Sequence, residues 1–195
     1  MPAWILLILV VVVALWFIGA YNGLISLKNQ TLNAFKQIDV QLKRRHDLIP
    51  NLVNAVKGAM DFEKSTLEAV IQARNQAVSA GANASPVAMK QVAAAENQLT
   101  AALSRFNVVV EQYPQLKATG NVAQLQEELT STENRISFAR QAYNDTATQY
   151  NTKQQQFPTN MFAGIAKATP AELWEITDEG ERAVPQVDLS MKPKA

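Results

Sequence analysis

The stretch NVAQLQEELTSTENRISFARQAYNDTATQY, residues 121–150, decides the fold class. Val122, Leu125, Leu129, Thr132, Ile136, Ala139, Tyr143, Thr146 and Tyr150 recur at alternating steps of three and four, placing them on one stripe of an α-helix for about four heptads. Glu127, Glu128, Glu133, Arg135 and Arg140 fall off that stripe. Asn121 followed by Gln124 predicts a capping box at its start.

The segment before it repeats the pattern with Val92, Ala95, Leu99, Leu103, Phe106, Val110 and Tyr113. Ser85 as N-cap and Pro86 at the first helical position open it, and it stops near Pro114. A further helix is predicted over 48–78, carrying Leu52, Val56, Ala59, Leu67, Val70, Ile71, Arg74 and Val78 and closed by SAGANASP. The first helix packs through Leu24, Leu27, Leu32, Phe35, Ile38 and Leu42 and ends near Arg45. Short links make consecutive helices antiparallel. The expectation is an all-α chain: an N-terminal transmembrane helix over 1–20 continuing into an antiparallel up-down four-helix bundle of long helices over 21–156. A tail over 157–195 follows, with one short helix that TPAE (169–172) would cap and that ends near Trp174.

Composition agrees with this class. The 195 residues suit one domain of ordinary size, and abundant alanine and glutamine with few glycines, prolines and aromatics favour long helices. The 18 basic and 17 acidic residues nearly cancel, so no global field draws the protein to nucleic acid. Without cysteine there is no disulfide framework, thiolate metal site or cysteine nucleophile.

From Ala3 to Ala20 the chain reads AWILLILVVVVALWFIGA, and its first charged side chain is Lys28. About eighteen residues at 1.5 Å each span roughly 27 Å, enough to cross the hydrocarbon of a bilayer. Trp4 at one end and Trp16, Phe17 and Tyr21 at the other are placed to anchor the span at both interfaces. A cleaved secretory signal needs a basic leader and a small-residue cleavage site, so an uncleaved anchor is expected. Lys28 and Lys36, then Lys43, Arg44 and Arg45, follow the span and none precedes it, which predicts a cytoplasmic body with the N-terminus outside; a periplasmic body is the alternative. Four alternating helices bring the tail back to the bilayer. Met161, Phe162 and Trp174 are therefore candidate interfacial contacts, with packing on the bundle as the competing reading.

The stretch IDVQLKRRHDLIPNLV, residues 38–53, holds the one histidine. Lys43, Arg44, Arg45 and His46 read as the last turn of the first helix, meeting its negative end. Asp47 reads as N-cap of the second, with Pro50 in its first turn. A kinked continuous helix is the other structural reading. On the functional reading, Lys43, Arg44, Arg45, His46, Asp47 and Asn51 form a recognition corner for an anion or acidic partner, roughly 40 Å from the membrane by the helical rise.

No zinc-binding, phosphate-loop or nucleophile-elbow motif occurs. Glu63, Glu68, Glu96, Glu111 and Glu133 lie on different helices, but a di-iron carboxylate site also asks for two Glu-x-x-His pairs, and one histidine is too few. No catalytic residue, metal or cofactor is expected.

The chain also resembles a known family. The stretches YNGLISLKNQTLNAFKQIDVQLKRRHDLIPNLVNAVKGAMDFEKSTLEAVIQAR and LQEELTSTENRISFARQAYNDTATQYNTKQQQFP, followed by VPQVDL, are similar to the LemA family of bacterial membrane proteins over nearly the whole chain. NAFKQ and GAMDFE depart from the family's commoner tryptophan-containing and GYAxHE versions. The resemblance implies a single-pass protein of the bacterial cytoplasmic membrane built on a four-helix bundle. It supplies no reaction, and it suggests membrane proteases or TPM-domain proteins as partners. A non-enzymatic scaffold or adaptor of the cell envelope, with self-association open, is the expected function. A tethered sensor binding an anion at the recognition corner is the alternative, and an enzyme comes third.

Overall fold

The computed structural model describes residues 3–57, 63–118 and 120–175. Among these the regular structure is helical: α1 (Ala3–Lys57), α2 (Lys64–Ala82), α3 (Met89–Glu111), the short α4 (Pro114–Ala118), α5 (Gly120–Gln155), and a 3₁₀ turn at Thr159–Met161. The first part of α1 is long and apolar enough to cross a membrane, and none of it is buried against the rest of the chain. The same helix then runs without a break into the body.

The stripes read for α3 and α5 are buried or half-buried, whereas Leu32 of α1 and Ile71 and Val78 of α2, expected to pack, are exposed. In α5 Val122, Thr132, Ile136, Tyr143 and Tyr150 are buried, and in α3 Val92, Leu99, Phe106 and Val110. The body pairs α1 with α5 and α2 with α3, and α2 also packs on α1. Phe35 meets the ring of Tyr143 and Arg45 pairs with Glu133: ten residues forward on α1 are ten back on α5, the register of an antiparallel pair.

The first boundary differs from expectation. α1 does not end at Arg45; it continues twelve residues further, to Lys57, and the second helix starts at Lys64. Residues 58–62, including Ala59, lie outside the described residues. The physical reason is at Pro50. A proline inside a helix lacks the N–H that would bond the carbonyl four residues back, which here is that of His46. The Arg74 side chain of α2 donates its Nε–H to that carbonyl at 3.2 Å, so the helix passes through the proline with its freed acceptor satisfied.

Two further boundaries move. α3 starts at Met89, not at Pro86; residues 85–88 form a turn closed by the Ala88 N–H on the Ser85 carbonyl (2.9 Å). The TPAE segment forms no helix. Residues 171–175 lie irregularly along α5, because side chains of α5 hold their backbone. The Asn151 amide donates to the Ala171 carbonyl (2.7 Å) and accepts from its N–H (2.8 Å), and Asn144 does the same to Trp174 (3.0 and 2.9 Å). The Tyr143 hydroxyl donates to the Glu172 carbonyl (2.7 Å), and the Glu172 N–H donates to the Pro86 carbonyl (2.7 Å). The Glu172 carboxylate accepts from the Lys90 N–H at the start of α3 (3.0 Å), an acceptor on one of the free donors of a helix N-terminus. The tail is thus a strap joining α5 to the turn before α3.

Buried apolar side chains fall into two clusters. The membrane-proximal one joins Leu24, Ile38, Leu42, Met89, Val92, Ile136, Tyr143, Tyr150 and Trp174. The distal one joins Ile49, Leu52, Val56, Leu67, Val70, Leu99, Phe106, Val110, Leu116 and Val122.

A buried polar layer as the candidate functional site

Between the two apolar clusters lies a layer of charge. Arg45 and His46 sit on α1 in the interval between Leu42 and Ile49, and Glu96 on α3 between Val92 and Leu99. Arg45 is 2% exposed and Glu96 1%, which for charged residues requires partners. His46 Nε2 lies 2.7 Å from Glu96 Oε1. Arg45 Nη1 reaches Glu133 Oε2 of α5 at 3.1 Å and Glu96 Oε2 at 3.6 Å, the latter an ion pair rather than a hydrogen bond. Arg45 Nη2 donates to the Thr100 hydroxyl at 2.7 Å. With Arg74 bonded to the His46 carbonyl, one level of the body ties α1, α2, α3 and α5 together through side chains.

The layer is flanked by two clefts. One of about 270 Å³, apolar at Phe35, Ile38, Leu42 and Val92, carries His46, Lys43, Asp47 and Arg74. The other, about 430 Å³, opens between α3 and α5 onto Arg45 and is lined by Thr100, Ser104, Asn107, Gln126, Thr130 and Glu133. No hydroxyl nucleophile is bonded to the His46 ring among the described residues, and no cluster of three metal-ligating side chains occurs among them.

The six residues expected to form a corner are divided by the helix. Lys43, Arg44, Asp47 and Asn51 are exposed, whereas Arg45 and His46 turn inward and face carboxylates. The site is also not a corner at the far end of the body, since α1 continues about 18 Å beyond it at the helical rise. Asp47 caps no helix, because it lies inside α1. Glu96, Glu133, Thr100 and Arg74 complete the layer, none of them part of the expected corner. The signal for Glu96 was present: it stands four residues after Val92 and three before Leu99, a core position, and a buried carboxylate there demands a cation.

Among the expected membrane aromatics, Trp4 is 63% and Trp16 48% exposed, while Phe17 and Tyr21 are half-buried. Met161 is exposed, and Phe162 packs on Phe17 and Trp16. Trp174 is not an interfacial residue: it is buried in the proximal cluster beneath the Arg140 guanidinium, 5.0 Å from its ring centre, with its backbone held by Asn144.

The LemA family profile matches residues 34–189, from the membrane-proximal part of α1 past the strap. The chain belongs to the LemA family. It is 30% identical to Protein LemA of Metamycoplasma hominis over 148 residues, covering 75% of this chain and 65% of that relative. It is 26% identical to Magnetosome protein MamQ 2 of Paramagnetospirillum magneticum, and 23% to Magnetosome protein MamQ of Magnetospirillum gryphiswaldense, in each case over 89% of this chain and 72% of the relative. With the apolar start of α1, this LemA-family chain is a membrane-anchored bacterial protein. The polar layer lies wholly within the region that the family profile covers.

Proposed function

We propose that this protein is a non-enzymatic, membrane-anchored adaptor of the bacterial cell envelope, whose polar layer fixes the helices in one register so that an outer face can dock a partner. The observation that carries the reading is that face. Val40 of α1 and Phe138 of α5 are 62% and 74% exposed and stand at one level, since their positions keep the register of the Arg45–Glu133 and Phe35–Tyr143 pairs. Around them a shallow depression is floored by Ala139 and Ala142 and rimmed by Lys36 and Arg135, with no acidic side chain in its lining. Gln41, in the same lining, has a side-chain carbonyl without a hydrogen-bond donor. An apolar centre with a polar rim is the anatomy of a protein interface.

Charge selects among partners. Two copies anchored in one bilayer pair about an axis along the membrane normal, so this face on one copy would meet the same face on the other. Such a contact would gather the Lys36 and Arg135 of both copies with no acid between them, whereas an apolar segment flanked by acidic residues complements both. The partner is therefore another membrane or envelope protein presenting such a segment, and self-association through this face is disfavoured. The anion-sensor reading is not carried forward, because Arg45 and His46 already face Glu96 and Glu133.

The basic residues that follow the span support a body on the cytoplasmic side. A single cysteine at the exposed Ser79 should then resist a membrane-impermeant thiol reagent in intact cells; labelling would reverse the orientation.

The adaptor reading is tested by a photocrosslinking amino acid at Phe138 in native membranes, with the exposed Gln72 of α2 as the control position. One adduct of defined mass at 138 and none at 72 is expected, lost when Lys36 and Arg135 are both changed to Glu. An adduct of twice the chain mass would make the partner a second copy, and equal capture at both positions would remove the face from the reading.

A further inference from the structure

The segment after α5 turns back beside the anchor. Phe162 packs its ring on Phe17, with centres 4.1 Å apart, and meets Trp16 edge-on at 6.5 Å. These are the aromatic residues that close the apolar run of α1, so the turn stands at the height where that run leaves the hydrocarbon. It is a packed element. Thr159 and Ala166 are buried, the Phe162 carbonyl accepts the Ala166 N–H at 2.9 Å, and the Lys28 ammonium reaches the Lys167 carbonyl at 3.4 Å.

Its outer side is unlike that of other packed turns. Phe157, Met161 and Ile165, spaced by four, are 80%, 66% and 69% exposed. Three large apolar side chains on one short turn are not expected in water, where loops carry polar residues. Through Phe162 the turn adjoins a part of α1 that is itself apolar and exposed, at Trp16 and along the run before it. The charges at this end are of one sign. Residues 151–168 contain Lys153 and Lys167 and no acid, and α1 contributes Lys28 with no acid before Asp39. An apolar surface with a basic margin is the signature of an element lying in the headgroup layer of an anionic leaflet.

We propose that residues 157–165 are a second membrane contact, a foot whose Phe157, Met161 and Ile165 enter the interfacial layer of the leaflet from which α1 emerges, with Lys28, Lys153 and Lys167 facing anionic phospholipid headgroups. The inference rests on the reading of the start of α1 as the anchor. One helix through a bilayer leaves its tilt and rotation to be set by interfacial anchors. A foot beside it fixes both, and so fixes the direction in which the Val40–Phe138 face points.

The test uses the full-length chain, which has no cysteine of its own, in vesicles of equal parts phosphatidylcholine and phosphatidylglycerol. Single cysteines at Val12, Met161, Ile165 and Gln72 carry an environment-sensitive fluorophore. Blue-shifted emission, quenched by spin labels placed shallow in the acyl chains, is expected at 161 and 165, with deeper quenching at 12 and water-like emission at 72. Water-like emission at 161 and 165 with a lipid-like signal at 12 overturns the foot and leaves the anchor standing; water-like emission at 12 as well shows that the anchor reading has failed. In phosphatidylcholine alone the quenching at 161 should fall by at least half, and an unchanged signal would overturn the role given to the lysines.

Discussion

Two places in this molecule are held together by polar side chains in or beside the core, and they are built from opposite materials. The layer at Arg45, His46, Glu96 and Glu133 joins side chains that carry or can carry charge, on helices that otherwise meet largely through apolar residues. The strap at residues 171–174 is held by the neutral amides of Asn144 and Asn151 and the Tyr143 hydroxyl, each bonded to backbone. Apolar stripes let helices slide by a turn at modest cost, whereas buried charge makes every other register expensive. Amide-to-backbone bonds read no side chain, and water can replace them when the strap leaves. The first arrangement therefore specifies a register, and the second fastens a segment whose other hold is the burial of Ala171 and Trp174.

The largest effect should follow from breaking the layer on one side. Glu96→Ala leaves the Arg45 guanidinium buried with only part of its pairing, a loss of about 3–5 kcal/mol by analogy with other buried pairs. Chemical denaturation of the detergent-solubilised protein, followed by helical circular dichroism, would measure it. Removing both charges with Arg45→Met and Glu96→Leu should cost less than Glu96→Ala alone, because no uncompensated Arg45 or Glu96 charge then remains buried. A double variant as unstable as the sum of the singles would mean that the layer acts as separate residues.

The strap should respond more weakly and locally. Asn144→Ala with Asn151→Ala removes four bonds to the backbone of residues 171–174, at about 1 kcal/mol net for each side-chain partner pair. The expected readout is Trp174 emission moving to the red, in a background with Trp4 and Trp16 changed to Phe, while the helical signal and its denaturation midpoint hardly move. A large drop in that midpoint would mean that the strap and the helices unfold as one unit.

Alkali offers a gentler way to open the same strap. Burial, and secondarily the Glu172 carboxylate, push the Tyr143 hydroxyl well above the ordinary tyrosine value; burial also raises Tyr150. The folded state therefore keeps its proton where the unfolded state has lost it. The stability this gives is complete below pH about 10, the unfolded value, and falls as the pH rises through the window between the two. Trp174 emission should shift to the red above pH about 10, and Tyr143→Phe should reduce the shift while weakening the strap at neutral pH.

The sequence made the helical class and most of the core legible, because Val122 to Tyr150 and Val92 to Val110 keep a period that water and apolar contact enforce. It misplaced the first turn for a physical reason: a cation run, an aspartate and a proline suit a helix end as well as they suit an interior whose charges find partners. The period did favour the interior, since Leu42, Arg45, Ile49 and Leu52 continue steps of three and four through the motif. Which helix supplies the partner is set by tertiary register, and no spacing within one segment encodes it. The strap was illegible for the same reason. TPAE suits a helix start, and what holds it out of a helix is remote in sequence: the asparagines seven residues apart on α5, each just after a buried tyrosine, with the Tyr143 hydroxyl and the Pro86 carbonyl.

The smallest effect tests how the layer lets α1 continue. Arg74→Ala in the normal chain strips the His46 carbonyl of its donor, leaving a part-buried acceptor unpaired at about 1–3 kcal/mol. Pro50→Ala restores a backbone N–H in register with that carbonyl, and because Pro50 is exposed the change removes no packing. Proline in a helix interior ordinarily costs about 3 kcal/mol relative to alanine; here Arg74 already supplies the missing bond, so a gain of only about 1 kcal/mol is expected. The decisive quantity is the coupling. Arg74→Ala should be milder in the Pro50→Ala background by about 1 kcal/mol, since a carbonyl with its own helical partner no longer depends on α2. Additive effects of the two substitutions would separate the proline from the arginine. The unbroken α1 would then owe its passage through residue 50 to the layer's charges alone.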